Sequence, residues 1–164
     1  MKQGARYSSQ MPPEIAIRFA NKDDFDGWLP LWLAYNEFYG RCGETALAEE
    51  VTWSTWTRFH DIAEPVRCMI AESEGRVIGI VHFIFHRTTI SIAPTCYLQD
   101  LYTIASERGR GVGRKLIAAV YEEARAAGSA RVYWLTHETN TVAMKLYGQV
   151  AELSGFVQYR KSLI

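Results

Sequence analysis

Cysteine is scarce in this chain. Cys42, Cys68 and Cys96 are its three cysteines, too few and too widely spaced for a disulfide framework or a paired-cysteine zinc site. A reducing cytoplasm is the expected setting. Long apolar runs are missing as well. None approaches the ~18 residues that would cross a membrane, so no membrane partner is expected. Residues 1–13, MKQGARYSSQMPP, lack the apolar stretch of a signal peptide and read as a flexible tail. Net charge is absent too: 18 Lys and Arg cancel 18 Asp and Glu. No nonspecific nucleic-acid partner is expected of such a balance. Familiar hydrolase signatures fail one by one. There is no G-x-S-x-G elbow. His137-Glu138 is followed by Thr141 where a zinc protease helix needs a second histidine. No metal site is expected.

What is present is ordinary in bulk and specific in places. At 164 residues, 48% of them hydrophobic, the chain suits a single domain with a real core, placed at 14–164. Three glycines alternate in Arg108-Gly109-Arg110-Gly111-Val112-Gly113. They lie between a strand-like run and an amphipathic helix-like run with Leu116, Ile117, Val120 and Ala124 on one stripe. Glycine lets a ligand approach the backbone. Free N–H groups and the dipole at a helix start then favour a phosphate. The P-loop pattern fails, because Lys115 follows Arg114 and precedes Leu116. The dinucleotide fingerprint needs G-x-G-x-x-G, and the spacing here is G-x-G-x-G.

The remaining elements follow from pattern. Ile15 to Phe19 reads as a strand. Asn21, Asp23 and Asp24 start a helix bearing Phe25, Trp28, Trp32, Tyr35 and Tyr39, with Pro30 expected to kink or divide it. Gly40 to Gly43 is a break and Glu49 to Arg58 a second helix. Val66–Ser73 and Arg76–His86 form a hairpin around Glu74-Gly75. Tyr97–Thr103 is a fourth strand, and Gly128 ends the helix after the glycine loop. Arg131–Thr136 is a fifth strand. A helix with Leu146 and Tyr147 follows, then a last strand beyond Gly155-Phe156. The order β-α-α-β-β-β-α-β-α-β predicts an α/β fold around a central mixed sheet.

The R-x-x-G-x-G loop resembles motif A of the GCN5-related N-acetyltransferase (GNAT) superfamily. Asn140, Tyr147 seven residues on, and Gly155-Phe156 resemble its motif B. The words LQDLY, VYWLTHETN and YRK are similar to fungal histone/polyamine-type acetyltransferases and bacterial relatives, and more distantly to diamine acetyltransferases. The resemblance covers residues 76–161. It implies a mostly antiparallel mixed sheet flanked by helices, with strands four and five splayed to admit acetyl-coenzyme A. Arg108, Gly109, Arg110, Gly111, Val112, Gly113 and Arg114 would hold the pyrophosphate. The backbone of Leu101, Tyr102 and Thr103 would pair with the pantetheine arm, and the Leu101 N–H would meet the acetyl oxygen. Asn140, a good helix N-cap in its own right, would also touch that arm. A homodimer is implied as well.

The implied reaction is acetyl transfer to a primary amine of a small molecule, such as a polyamine or amino acid, by direct attack in a ternary complex. A protein-lysine or histone-type acceptor and a noncatalytic acyl-coenzyme A-binding module are the alternatives. Tyr147 is the candidate general acid, since a phenol with an ordinary pKa near ~10 keeps its proton at neutral pH. As a residue on the apolar face with Ala143, Leu146 and Val150, it also reads as core. Asp100 is the candidate for binding or deprotonating the incoming ammonium; it reads equally as structural. Strand alternation puts Asp100 on the face opposite Gln99. Diamine acetyltransferases carry a glutamate where Gln99 stands. His82, His86 and His137 are reserve bases. The aromatic residues of the first two helices, with Glu37 and Glu44 nearby, are candidates for holding a cationic amine. The eight-residue step from Tyr147 to Gly155 implies a longer last helix or an inserted loop.

Overall fold

The computed structural model describes residues 13–163, so nearly all of the expected tail over 1–13 lies outside the described residues. The described chain forms two compact units, one up to Trp134 and one from Leu135 onward.

The first unit is a five-stranded sheet in the order β1-β2-β3-β4-β5. Its strands are β1 (Ala16–Phe19), β2 (Val66–Ser73), β3 (Arg76–Thr88), β4 (Ser91–Thr103) and β5 (Val132–Tyr133). All neighbours are antiparallel except β4 and β5, which run parallel. Helices α1 (Phe25–Phe38) and α2 (Glu49–Phe59) precede β2, and α3 (Val112–Ala126) follows β4. The β2–β3 hairpin falls where the sequence predicts it. Glu74 and Gly75 take φ values of 52° and 72° at its turn, the left-handed pair that suits a tight hairpin.

A 3-10 turn, Lys22–Asp24, leads into α1 and is capped where the sequence marks a helix start. The Asn21 side chain accepts the Asp23 N–H at 2.8 Å, and Asp24 accepts the Asn21 N–H at 2.8 Å. Arg18 of β1 reaches Asp24 and Glu72, each at 2.6 Å, tying the first strand to this turn and to β2. Pro30 does not divide α1, which runs unbroken through it. The bond that Pro30 forgoes is to the Asp26 carbonyl, and both residues are exposed, so water satisfies that carbonyl.

Adjacent strand residues point to opposite faces, and the two faces receive different helices. On one face Trp28, Trp32, Tyr35, Trp56 and Phe59 from α1 and α2 pack with Cys68, Ile70 and Ile80. Trp28 is wholly buried. These rings are therefore core first. On the other face α3 lies close against β3. A Cβ at Gly79 would come within 2.8 Å of Val112 Cγ1 and 3.1 Å of Leu116 Cδ1.

Two strands depart most from the sequence reading. β4 starts at Ser91 rather than Tyr97. Pro94 falls where the register with β3 shifts between His86 and Thr88, a place where a missing N–H is tolerated. β5 is two residues long rather than spanning Arg131–Thr136. It pairs with β4 through Cys96↔Val132 and Tyr97↔Tyr133. β4 continues to Thr103 without it, so the expected parting of strands four and five occurs beyond Tyr97.

The second unit contains α4 (Thr141–Val150). Asn140 is its N-cap, with the side chain accepting the Ala143 N–H at 3.4 Å. The helix is not lengthened; a loop leads from it to Gly155. The predicted last strand is absent from the described residues: 154–163 carry no helix or strand, and no other strand is described in this unit for it to pair with.

Candidate active site

Asp100 stands at an irregular point of β4. His82 of β3 pairs with Asp100, but the next residue, Phe83, pairs with Leu98. Gln99 is the extra residue of a β-bulge, a device that re-aims side chains. Its effect corrects the alternation argument: Gln99 and Asp100 do not face opposite ways but line the same cavity, of about 380 Å³.

The hydrogen bonds around Asp100 fix its surroundings. Trp28 Nε1, which can only donate, lies 2.9 Å from His82 Nε2. That nitrogen is therefore the acceptor, and His82 Nδ1 carries the proton. Nδ1 donates to Asp100 Oδ2 at 2.9 Å. The one lone pair of His82 is thus used by Trp28, so His82 serves to orient Asp100 rather than as a reserve base. Tyr35 lies near Asp100; burial, then the negative charge of that carboxylate, pushes its phenol well above the ordinary value. Tyr35 accordingly keeps its proton. Both His82 and Asp100 are buried, yet the carboxylate retains acceptor capacity toward the cavity.

The cavity walls come from α1, α2 and the sheet, and include Trp32, Tyr35, Asn36, Arg41, Arg58 and Phe59. Glu37 and Glu44 are exposed and lie outside this lining. The expected acidic wall is instead two guanidinium groups with Asp100 opposing them in sign. His86 bonds Tyr133 Oη at 3.0 Å at the sheet surface. His137 bonds Thr139 Oγ1 at 2.8 Å within the second unit.

Past the bulge, no strand among the described residues pairs with the outer edge of β4. The Ile104 N–H bonds the Ile78 carbonyl of β3. By alternation the Tyr102 amide also faces β3, while those of Leu101 and Thr103 face the side that β5 has left. The Thr103 carbonyl there accepts from Arg108 Nε at 3.2 Å, and the Arg108 guanidinium lies over the Tyr102 ring.

The chain then enters the glycine loop. Gly109 and Gly111 have φ of 80° and 81°, and a Cβ on either would meet nothing within 4 Å. Gly111 is the N-cap of α3, with no side-chain cap. The first bond of the helix runs from the Lys115 N–H to the Gly111 carbonyl. The Val112 and Gly113 amides precede that ladder, in the turn where the helix dipole is positive. An open hollow over uncapped amides suits a pyrophosphate. Not every loop cation is available for it. Arg110 pairs with Glu107 and donates to the Pro13 carbonyl, and Glu107 also holds Arg76 at 2.9 Å. Arg114 follows on the first turn of α3.

Asn140 and Tyr147 belong to the second unit. Asn140 caps α4, and Tyr147 lies one helical turn before its end, with its carbonyl accepting the Ala151 N–H. Among the described residues, no group of three or more His, Cys, Asp or Glu could hold a metal ion, and no helix is long and apolar enough to cross a membrane.

Comparison with known proteins agrees with this arrangement. The model of the acetyltransferase (GNAT) family matches residues 28–151. The chain is 33% identical over 150 residues to D-amino-acid N-acetyltransferase HPA3 of Saccharomyces cerevisiae, covering 90% of this chain and 91% of that protein. It is 28% identical to the uncharacterized N-acetyltransferase YhfO of Bacillus subtilis, covering 87% and 94%. Its fold is similar to that of AAC(6')-Iy, solved with the bisubstrate analogue CoA-S-monomethyl-acetylneamine. The TM-score is 0.77 at 19% identity, over 92% of this chain and 99% of that one. Family match, relatives and fold lead to one conclusion: the chain belongs to the GNAT family and is an N-acetyltransferase.

Proposed function

We propose that the chain transfers an acetyl group from acetyl-coenzyme A to the primary amine of a small molecule, by direct attack in a ternary complex. The observation that carries this reading is the outer edge of β4 leading into the uncapped start of α3, beside a cavity that holds Asp100. The yeast relative's D-amino-acid activity and the aminoglycoside-derived analogue bound by AAC(6')-Iy support a small acceptor. The family match across 28–151 supports treating 14–164 as one acetyltransferase domain.

Acetyl-coenzyme A, when bound, supplies an acetyl group activated as a thioester. The Val112 and Gly113 amides, within the 108–114 loop, hold its pyrophosphate. Leu101 and Thr103 offer backbone groups to the pantetheine arm, with Tyr102 between them, and Asn140 adds a side-chain amide. The Leu101 N–H donates to the acyl oxygen as charge develops there. Asp100 receives the acceptor ammonium and draws off a proton through water. Tyr147 holds the proton that the departing sulfur takes up. Bringing both substrates together supplies much of the rate. The protein acts in the cytoplasm as a homodimer, a state that light scattering at micromolar concentration would test.

The deciding experiment is a panel of amines, amino acids, polyamines and a lysine peptide with acetyl-coenzyme A, following free thiol. Release with small amines is the expected outcome. Release with the lysine peptide alone would turn the reading to a protein acetyltransferase. Cofactor binding without release across the panel would turn it to a noncatalytic module.

A further inference from the structure

Arg41 is built into the cavity with unusual support. Asn36, 3% exposed, holds it twice. The Asn36 backbone carbonyl accepts the Arg41 N–H at 2.9 Å, and Asn36 Oδ1 accepts Arg41 Nε at 2.6 Å. Asn36 is itself fixed, since its Nδ2 donates to the Trp32 carbonyl at 2.8 Å. The guanidinium carbon lies 5.7 Å from the Tyr35 ring centre and 5.5 Å from that of Tyr39. Its Nε edge is therefore engaged and its plane is supported by two rings. The two terminal nitrogens have no protein acceptor among the described residues. This is how a guanidinium is held when its outer fork must accept a planar anion.

The other charges of the cavity sharpen the point. Arg58 is half exposed and faces Glu64 at 3.9 Å, so its charge is already answered. Asp100 supplies the negative group, and the Tyr35 ring, which lines the same cavity, lies beside Arg41. A cavity with an anion at one point and an open cationic fork at another complements a molecule bearing an amine and a carboxylate. A polyamine would bring a second cation toward the open Arg41 guanidinium.

We propose that Arg41, oriented by Asn36, binds the acceptor's carboxylate, so that the acceptor is an α-amino acid or similar carboxylated amine rather than a polyamine. This rests on the acetyl-transfer reading above. The test compares phenylalanine (both enantiomers) with phenylalaninamide and spermidine, using acetyl-coenzyme A and thiol release, in the wild type and in Arg41→Gln. One lost charge-assisted pair is worth about 10- to 100-fold in binding. The ratio of kcat/KM for the better phenylalanine enantiomer to that for the amide should therefore fall about 10- to 100-fold in Arg41→Gln. Asn36→Ser, which releases the fork without removing the charge, should lower the same ratio less. The acetyl-coenzyme A-induced rise in melting temperature reports that each variant is folded. Equal use of acid and amide by the wild type, an unchanged ratio in Arg41→Gln, or preference for spermidine would overturn the carboxylate assignment alone. No thiol release from any acceptor would overturn the acetyl-transfer reading beneath it.

Discussion

Two glycines at opposite ends of α3 allow backbone strain to be separated from ligand binding. Gly111 (φ 81°) starts the helix and Gly128 (φ 73°) follows its end, and a Cβ at either would meet nothing within 4 Å. Alanine at either site therefore incurs the left-handed conformation alone, roughly 1–2 kcal/mol. In a chain of this size each kcal/mol lowers the melting temperature by about 2–4 °C. Gly111→Ala and Gly128→Ala should thus both melt about 2–8 °C below the wild type without ligand. They should differ once acetyl-coenzyme A is added. At 100 times its dissociation constant a native-state ligand contributes about 2.7 kcal/mol, a rise of about 5–11 °C on the same scale. Gly128→Ala should show this rise in full. In Gly111→Ala the new methyl group stands where the pyrophosphate must approach the amides. If affinity falls about 100-fold, the gain at the same concentration shrinks to about 0.4 kcal/mol, near 1 °C. Differential scanning fluorimetry of the three proteins, with and without cofactor, reads all of these numbers. Equal ligand-induced rises in the two variants would refute the assignment of the cofactor phosphates to the start of α3.

Asp100→Asn keeps an acceptor for His82 but removes the charge; steady-state kinetics should show the amine KM rising more than kcat falls, and the reverse pattern would make Asp100 chiefly a base. Tyr147→Phe should lower kcat by about 10²- to 10⁴-fold with cofactor affinity retained, and an unaltered kcat with chemistry rate-limiting would return Tyr147 to packing. The hydrogen bond from Arg18 holds the Asp24 carboxyl below its ordinary value. Its contribution is complete above the unfolded-state pKa of ~3.9 and is lost as pH falls through the lower folded value. With Arg18 more than a third exposed, solvent limits the effect to about 1 kcal/mol. Urea melts of Asp24→Asn should show that deficit at pH 7 and its disappearance well below pH 4; a deficit that persists in acid would mean the asparagine disturbs the turn itself.

The parts legible from sequence were those whose signal is local. Turn chemistry at Glu74-Gly75, the caps at Asn21 and Asn140, and the glycine loop ahead of α3 all announce themselves within a few residues. Arg41 does not. Between Gly40 and Cys42 it reads as a loop cation, and its fork is created only when Asn36, one turn earlier on α1, is buried and turned toward it. The role of His82 depends on β3 lying under Trp28, a separation of 54 residues. The shared face of Gln99 and Asp100 depends on a register shift that period-two reasoning takes to be absent. The first half of β4 carries Pro94, whose cost in a strand vanishes only where the ladder is already irregular. The last predicted strand failed in the opposite direction, since an apolar alternation makes a strand only when a neighbouring backbone is there to bond it.

The bulge at Gln99 has a consequence for how this family member can change. Before it, Cys96 turns its N–H toward β5, bonding the Arg131 carbonyl; after it, the residues facing that side are Leu101 and Thr103. The inserted residue therefore exchanges which members of the strand lend their backbone to the gap, from even to odd positions. It also lines the acceptor cavity, so substitution at 99 is a route for adjusting the acceptor that leaves the pairing of His82 with Asp100 in place.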